Sequence, residues 1–402
     1  MMFLIALVVV GGVALYVMTS DERVRLLRRI VDAVQPVAAA AAPRAEEHAF
    51  RAALRARTSM ALVTPALVFV NVAVFIGLLF GAGAMSDPNT LIGWGANFAP
   101  RTTNSEWWRL VTSMFVHAGF LDLTINMIGL VVIGLVLERL VGHVTFAVVY
   151  FATGISGGVA SLFAYPLLAN AGATSPVLGV YGLLLATSAW GVLRRSPLTI
   201  PLAVVKRLGP VAAVFVLYVL VTGGLGNVGN VIALVVGLGF GFVLTMNVGE
   251  TTPSLGRAAA AMAAMVGIAV VCSVPLRGIA DVGPSIAQVV AAEDRTASVY
   301  QHAVNQFVKG RADAEELASL IEGTILPDLQ SASAPLRTIG KVAREQRPLI
   351  ADAGEYVRLR SESWQMRADG LRAGNMHTLR EADKTERAAL TAFERVRPSD
   401  QK

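Results

Sequence analysis

Gly172-Ala173-Thr174-Ser175-Pro176-Val177-Leu178-Gly179 decides the fold, read with Glu106-Trp107-Trp108-Arg109, His117-Ala118-Gly119, Asp122 and Asn126 upstream of it. All of these lie in or beside apolar runs. A polar side chain is costly in such surroundings, so each asks for a function or a partner. Thr174 and Ser175 also suit the cap of a following helix, with Pro176 in its first turn. Asn126 lies one helical turn from Asp122 on the same face, where the two can bond.

Working outward, apolar runs cover about 61–84, 109–137, 144–169, 175–193, 208–223, 228–247 and 258–276. A spanning helix needs ~20 such residues. Met1–Met18 is a shorter apolar stretch with no basic residue before it and Arg23, Arg25, Arg28 and Arg29 after it. That charge order is the reverse of a cleaved signal peptide and reads as an anchor entering from outside. Counting this anchor with the seven runs gives eight spans, with a basic cytoplasmic linker over 20–60. Arg194, Arg195, Lys206 and Arg207 then fall inside, whereas 165–173 and 223–228 carry no charge, as the positive-inside rule requires.

The 402 residues are 54% hydrophobic and 15% charged, with 37 glycines, a composition that suits a polytopic helical membrane protein. The net charge of +6 comes from residues 1–280, where it orients the spans. It makes no basic patch on a soluble fold, so nucleic acid is not an expected partner. The one cysteine, Cys272, excludes an intrachain disulfide and a CxxC metal site, and no cofactor or metal is expected. From residue 281 the charge becomes dense and apolar residues recur at helical spacing, as in Val299, Ala303, Phe307 and then Leu317, Leu320 and Ile321. Pro327, Pro335 and Pro348 punctuate the run. This predicts a soluble bundle of about four helices over 281–402, placed outside by the even number of spans and free to meet a protein partner. Its histidines, His302 and His377, have no ligand-spaced partners.

The stretch from residue 61 to 247 resembles the rhomboid family of intramembrane serine proteases. Trp108-Arg109 matches the family's loop motif, and Glu138-x-x-x-Gly142 the end of its second core helix. Gly172-Ala173 and Gly179 bracket the nucleophile position, and Gly237 and Gly241 form the small-x-x-x-small pair of the sixth helix. With Asn126, five motifs fall in the family's order. The resemblance implies an all-α polytopic fold with a six-helix core at 61–247 and a further transmembrane helix at 248–280, to which the residue pattern adds the anchor at 1–19 and the soluble helical domain at 281–402. It also implies an integral protein of the bacterial inner membrane.

What the resemblance implies for chemistry does not carry over. Rhomboids use a serine in Gly-x-Ser-Gly, a histidine in His-x-x-Gly-x-x-x-Gly as base, and a His-x-x-x-Asn pair for the oxyanion. Here the nucleophile position holds Thr174 followed by Ser175, the base position holds Leu234, and the oxyanion pair is Asp122 with Asn126. An alkyl chain accepts no proton, and the chain has no histidine between residues 144 and 301. Losing one member of such a unit costs on the order of 10⁴–10⁶ in turnover. The expectation is a pseudoprotease that binds transmembrane segments of client proteins beside Asp122, Asn126 and Thr174. A divergent intramembrane protease using Thr174 or Ser175 is the alternative. A transporter is a weaker third, because no internal repeat is visible.

Overall fold

Glu138 shows how the bundle is held. Its carboxylate accepts backbone N–H groups from Leu62 (2.7 Å), Val63 (2.7 Å) and Thr64 (2.8 Å), and a bond from His143 Nδ1 at 2.6 Å. A helix begins with orphan N–H donors, and here an acidic side chain from a neighbouring helix satisfies three of them, where the helix dipole also favours an anion. The Glu138-x-x-x-Gly142 motif is thus a structural clasp.

The computed structural model describes residues 45–81, 83–84, 87–194, 200–222, 227–246 and 252–397. The expected anchor at 1–19 and most of the linker at 20–60 lie outside them. In chain order the longer helices are α1 (Ala45–Arg57), α2 (Val63–Phe80), α3 (Phe120–Val141), α4 (His143–Ala164), α5 (Thr174–Leu193), α6 (Leu202–Val221), α7 (Val228–Leu244) and α8 (Leu255–Ser273). Among the described residues six helices are long and apolar enough to cross a membrane, and α7 is a shorter apolar helix of 17 residues. At ~1.5 Å per residue α7 reaches roughly 26 Å, somewhat less than the ~30 Å hydrocarbon layer.

The expected span at 109–137 is corrected. Residues Arg109–Thr112 form one helical turn, Ser113–Phe115 a 3-10 turn, and the spanning helix starts only at Phe120 after an extended Gly119. The apolar run continues unbroken, but Arg109 draws its first part into a loop. Its guanidinium is 2% exposed, pairs with Glu106, donates to the carbonyls of Ile92 and Ala96, and lies over the Trp108 ring at 4.6 Å. Asn97 pairs with Asn170 and its Nδ2 donates to the Gly158 carbonyl at 3.0 Å. The whole loop is stapled onto the α4–α5 connection.

Glycine sets the closest helix contact. A Cβ on Gly237 would collide with the Gly179 carbonyl, and one on Gly182 with the Leu234 carbonyl, so α5 and α7 pack backbone to backbone. The core between helices includes Leu130, Leu137, Phe146, Tyr150, Val180 and Phe215.

Beyond α8 come β1 (Ile279–Ala280), α9 (Gly283–Val308), α10 (Ala314–Leu320), a π-helical turn (Ile321–Ile325), α11 (Leu326–Thr338), β2 (Lys341–Val342), α12 (Arg347–Ala373) and α13 (Met376–Val396). Pro335 does not end a helix as the sequence suggests; it sits inside α11, and Pro327 follows the π-helical turn in an unbroken helical run. Pro348 falls in the first turn of α12, where a missing N–H is tolerated. These helices enclose a second core with Val289, Ile321, Leu329, Tyr356, Trp364 and Phe393. Arg360, 2% exposed, forks onto Glu293 (3.0 and 2.8 Å), pairs with Glu386 and stacks on Trp364 at 4.3 Å.

The C-terminal helices are rooted on the loop. Asn104 Nδ2 donates to the Ile279 carbonyl and its Oδ1 accepts from Gly278 N, both at 2.9 Å. Thr103 donates to the Leu276 carbonyl at 2.9 Å, and β1 pairs in parallel with β2. Since helices alternate in direction, this junction lies at the same end of the bundle as Thr174.

Candidate functional site

The chain enters α5 through Gly172, whose φ of +116° suits glycine and whose N–H donates to the Ser113 carbonyl at 2.9 Å. Ala173 N donates to His117 Nε2 at 3.4 Å, while His117 Nδ1 donates to the Phe115 carbonyl at 3.4 Å. His117 is wholly buried, and burial pushes its pKa down to about 4, the bond to Phe115 opposing. The ring is therefore neutral and serves as a strut behind the loop.

Thr174 is the first residue of α5, and the cap position belongs to Ala173, with no side-chain cap bond. The capping role suggested for Thr174 and Ser175 is corrected accordingly. Ser175 turns its hydroxyl across to α7 and donates to Asn230 Oδ1 at 2.7 Å. It can do so because Gly157 of α4 faces it without a side chain: a Cβ there would lie 2.8 Å from Ser175 Cβ and 2.8 Å from the Gly229 carbonyl. Three helices meet on this serine. Beside it Ser161 donates to Asn227 Oδ1 at 3.1 Å, and the same oxygen caps α7 through Gly229 N.

Asp122 and Asn126 form the second half of the site. Asn126 Nδ2 donates to the Asp122 carbonyl and to Asp122 Oδ1, both at 2.8 Å, and the Tyr218 hydroxyl donates to Oδ1 at 3.3 Å. The pairing expected from their spacing is present, with Tyr218 of α6 as an addition. Asn126 is fully buried, and its Oδ1 has no hydrogen-bond partner among the described residues. Asp122 also borders the loop into α5, since a Cβ on Gly172 would lie 3.4 Å from its Oδ2.

Leu234, at the expected base position, packs its side chain against the apolar core. What α7 presents to Ser175 is Asn230, one turn earlier on the same face. Asn230 and Tyr218 were not singled out from the sequence. Asn230 carried a usable signal, being polar and alone in an apolar helix. Among the described residues no group of three His, Cys, Asp or Glu side chains is placed to hold a metal ion.

The family model of the Rhomboid domain matches residues 104–247, the part of the chain that carries all of these groups. The chain is 35% identical over 103 residues to the rhomboid protease GluP of Bacillus subtilis (strain 168), covering 26% of this chain and 20% of GluP. It is 31% identical over 121 residues to the rhomboid protease AarA of Providencia stuartii (29% and 43%). It is 36% identical over 90 residues to the Inactive RHOMBOID-like protein 8 of Arabidopsis thaliana (22% and 25%). The chain spans less than half the length of these curated relatives. Domain match, relatives and apolar helices together support a rhomboid-type integral membrane protein.

Proposed function

We propose that this protein is a rhomboid-type pseudoprotease that holds transmembrane segments of client proteins. The observation that carries the proposal is the partner of Ser175. Its hydroxyl is bonded to an amide oxygen at 2.7 Å, and an amide is too weak a base to take a proton near neutral pH. The neighbouring imidazole, His117, accepts the Ala173 N–H instead. Thr174 has no hydrogen-bonded base among the described residues.

The side-chain donor expected for an oxyanion is engaged elsewhere. An oxyanion needs donors aimed at developing charge, but both Nδ2 hydrogens of Asn126 are directed to Asp122. A carboxylate there adds repulsion if ionised. The same geometry favours holding a partner. Asp122 is a partly exposed acceptor, so it suits a client helix that brings N–H or O–H donors into the bilayer, where such bonds add specificity. Arg51, Arg55, Arg139, Arg194, Lys206, Arg207 and Arg257 gather at the other end of the bundle, which supports an orientation with that end in the cytoplasm. The C-terminal helices then face outward and offer a surface to a second protein.

Similarity to proteins named as proteases keeps one other reading, in which Ser175 or Thr174 attacks a client. A fluorophosphonate probe on the purified full chain separates the two, and no labelling is expected. Labelling that vanishes in Thr174→Ala or Ser175→Ala would reverse the proposal. A photo-crosslinking amino acid at Leu121, exposed beside Asp122, is expected to trap membrane-protein clients, and Asp122→Ala to reduce the yield. Equal yield from both would mean that Asp122 plays no part in holding them.

A further inference from the structure

The end of the bundle opposite Thr174 contains a cavity of about 290 Å³ where α1 crosses α3 and α6. Its walls are apolar, with Leu54, Val132, Leu135, Val136 and Leu208, and its rim holds Arg51, Arg55, Arg139 and Arg207. Two features separate it from an ordinary basic surface. Arg139 Nε is buried without a hydrogen-bond partner among the described residues, an unfavourable state for a cationic donor unless an acceptor joins it. The nearest acid in sequence, Glu138, already accepts from α2 and His143, and no described carboxylate lines the cavity. Arg51 and Arg207 have interactions of their own, so Arg55 and Arg139 define the site.

The apolar wall runs out onto the flank of the bundle, where Leu135 is 39% and Val205 50% exposed. Arg139 lies in the last turn of α3 and Arg207 near the start of α6, the level of a membrane interface. Helix α1 covers this corner with Phe50 and Leu54 buried and Arg51 and Arg55 outward, the pattern of a helix lying in an interface. A ligand that satisfies both parts needs an anionic oxygen for the guanidinium groups and a hydrocarbon chain for the wall. We propose that this cavity binds one anionic phospholipid, its phosphate between Arg55 and Arg139 and an acyl chain along Val132, Leu135 and Val136. Guanidinium forks suit phosphate oxygens, and free phosphate would leave the apolar wall unfilled.

Native mass spectrometry of the full chain, released from detergent, tests this with three probes: dioleoyl phosphatidylglycerol, dioleoyl phosphatidylcholine and glycerol 3-phosphate. One phosphatidylglycerol should bind at a concentration about tenfold below that needed for phosphatidylcholine. Arg55→Gln and Arg139→Gln should each weaken it about fivefold, the share expected of one arginine near an anionic headgroup. Val132→Trp, which fills the cavity and leaves the charge intact, should weaken it as well. Equal binding of the two lipids by the unaltered chain overturns the proposal and needs no folded variant. So does phosphatidylglycerol binding that survives both arginine substitutions. Glycerol 3-phosphate binding as tightly as the lipid would overturn the assignment to a membrane component.

Discussion

One hydroxyl, Ser175 Oγ, sits where three helices converge and donates a hydrogen bond to an amide oxygen. If that bond is structural, Ser175→Ala and Asn230→Ala should each lower stability by about 1 kcal/mol. Together they should cost clearly less than the sum of the two, because the same contact is removed twice. Thermal unfolding of the detergent-solubilised chain reads this; full additivity would mean that the bond contributes nothing. His117 gives a second test. Its folded pKa of about 4 lies below the ordinary 6.5, so between these values the unfolded chain binds more protons. Stability is then complete above pH 6.5 and falls as pH drops toward 4, by on the order of 3 kcal/mol. His117→Gln should lose that part of the pH dependence, measured as the difference between the two unfolding profiles. At this scale the sequence was half legible. That Leu234 cannot act as a base follows from its side chain alone. That Asn230 would take the serine depends on how α5 and α7 are rotated against each other, and no spacing within either helix contains that rotation.

At the scale of elements, the clasp from α3 to the start of α2 sets the geometry. Glu138→Gln keeps the shape but puts an amide donor where an oxygen now accepts, so at least one of the three N–H groups of residues 62–64 loses its partner. The expected cost is roughly 1–3 kcal/mol, seen as a lower unfolding temperature and faster hydrogen exchange at Val63 and Thr64. Unchanged exchange there would show that the carboxylate is not what holds the helix start. Helix existence was readable from apolar length, and the α5–α7 contact from Gly237 and Gly241. Helix beginnings were not. The run from Arg109 onward looks like the start of a span because Leu110, Val111 and Met114 are apolar, yet a buried arginine that needs the carbonyls of Ile92 and Ala96 forces a loop there. A tertiary partner overrides local hydropathy.

For the whole molecule, the question is how firmly the C-terminal helices are fixed to the membrane bundle. Asn104 supplies two of the bonds, and Arg277, exposed beside them, lies 5.8 Å over the Trp107 ring. Asn104→Ala should speed tryptic cleavage after Arg277 several-fold while leaving other sites unaffected, and an unchanged rate would place the anchorage elsewhere. The change in composition at residue 281 was plain in the sequence. Its attachment was not, since Asn104 and Ile279 lie far apart along the chain and neither belongs to a recognisable pattern.

The parallel pairing of Ile279–Ala280 with Lys341–Val342 bears on the order of assembly. The two short strands run in the same direction, so the chain between them must travel out and return, as helices α9 to α11 do. During synthesis the first strand emerges long before its mate, and a ribosome has to make another sixty or so residues before the seam can close. A polypeptide halted short of Lys341 would carry all of its described apolar helices and an unzipped edge at Ile279, open to any other strand in its vicinity.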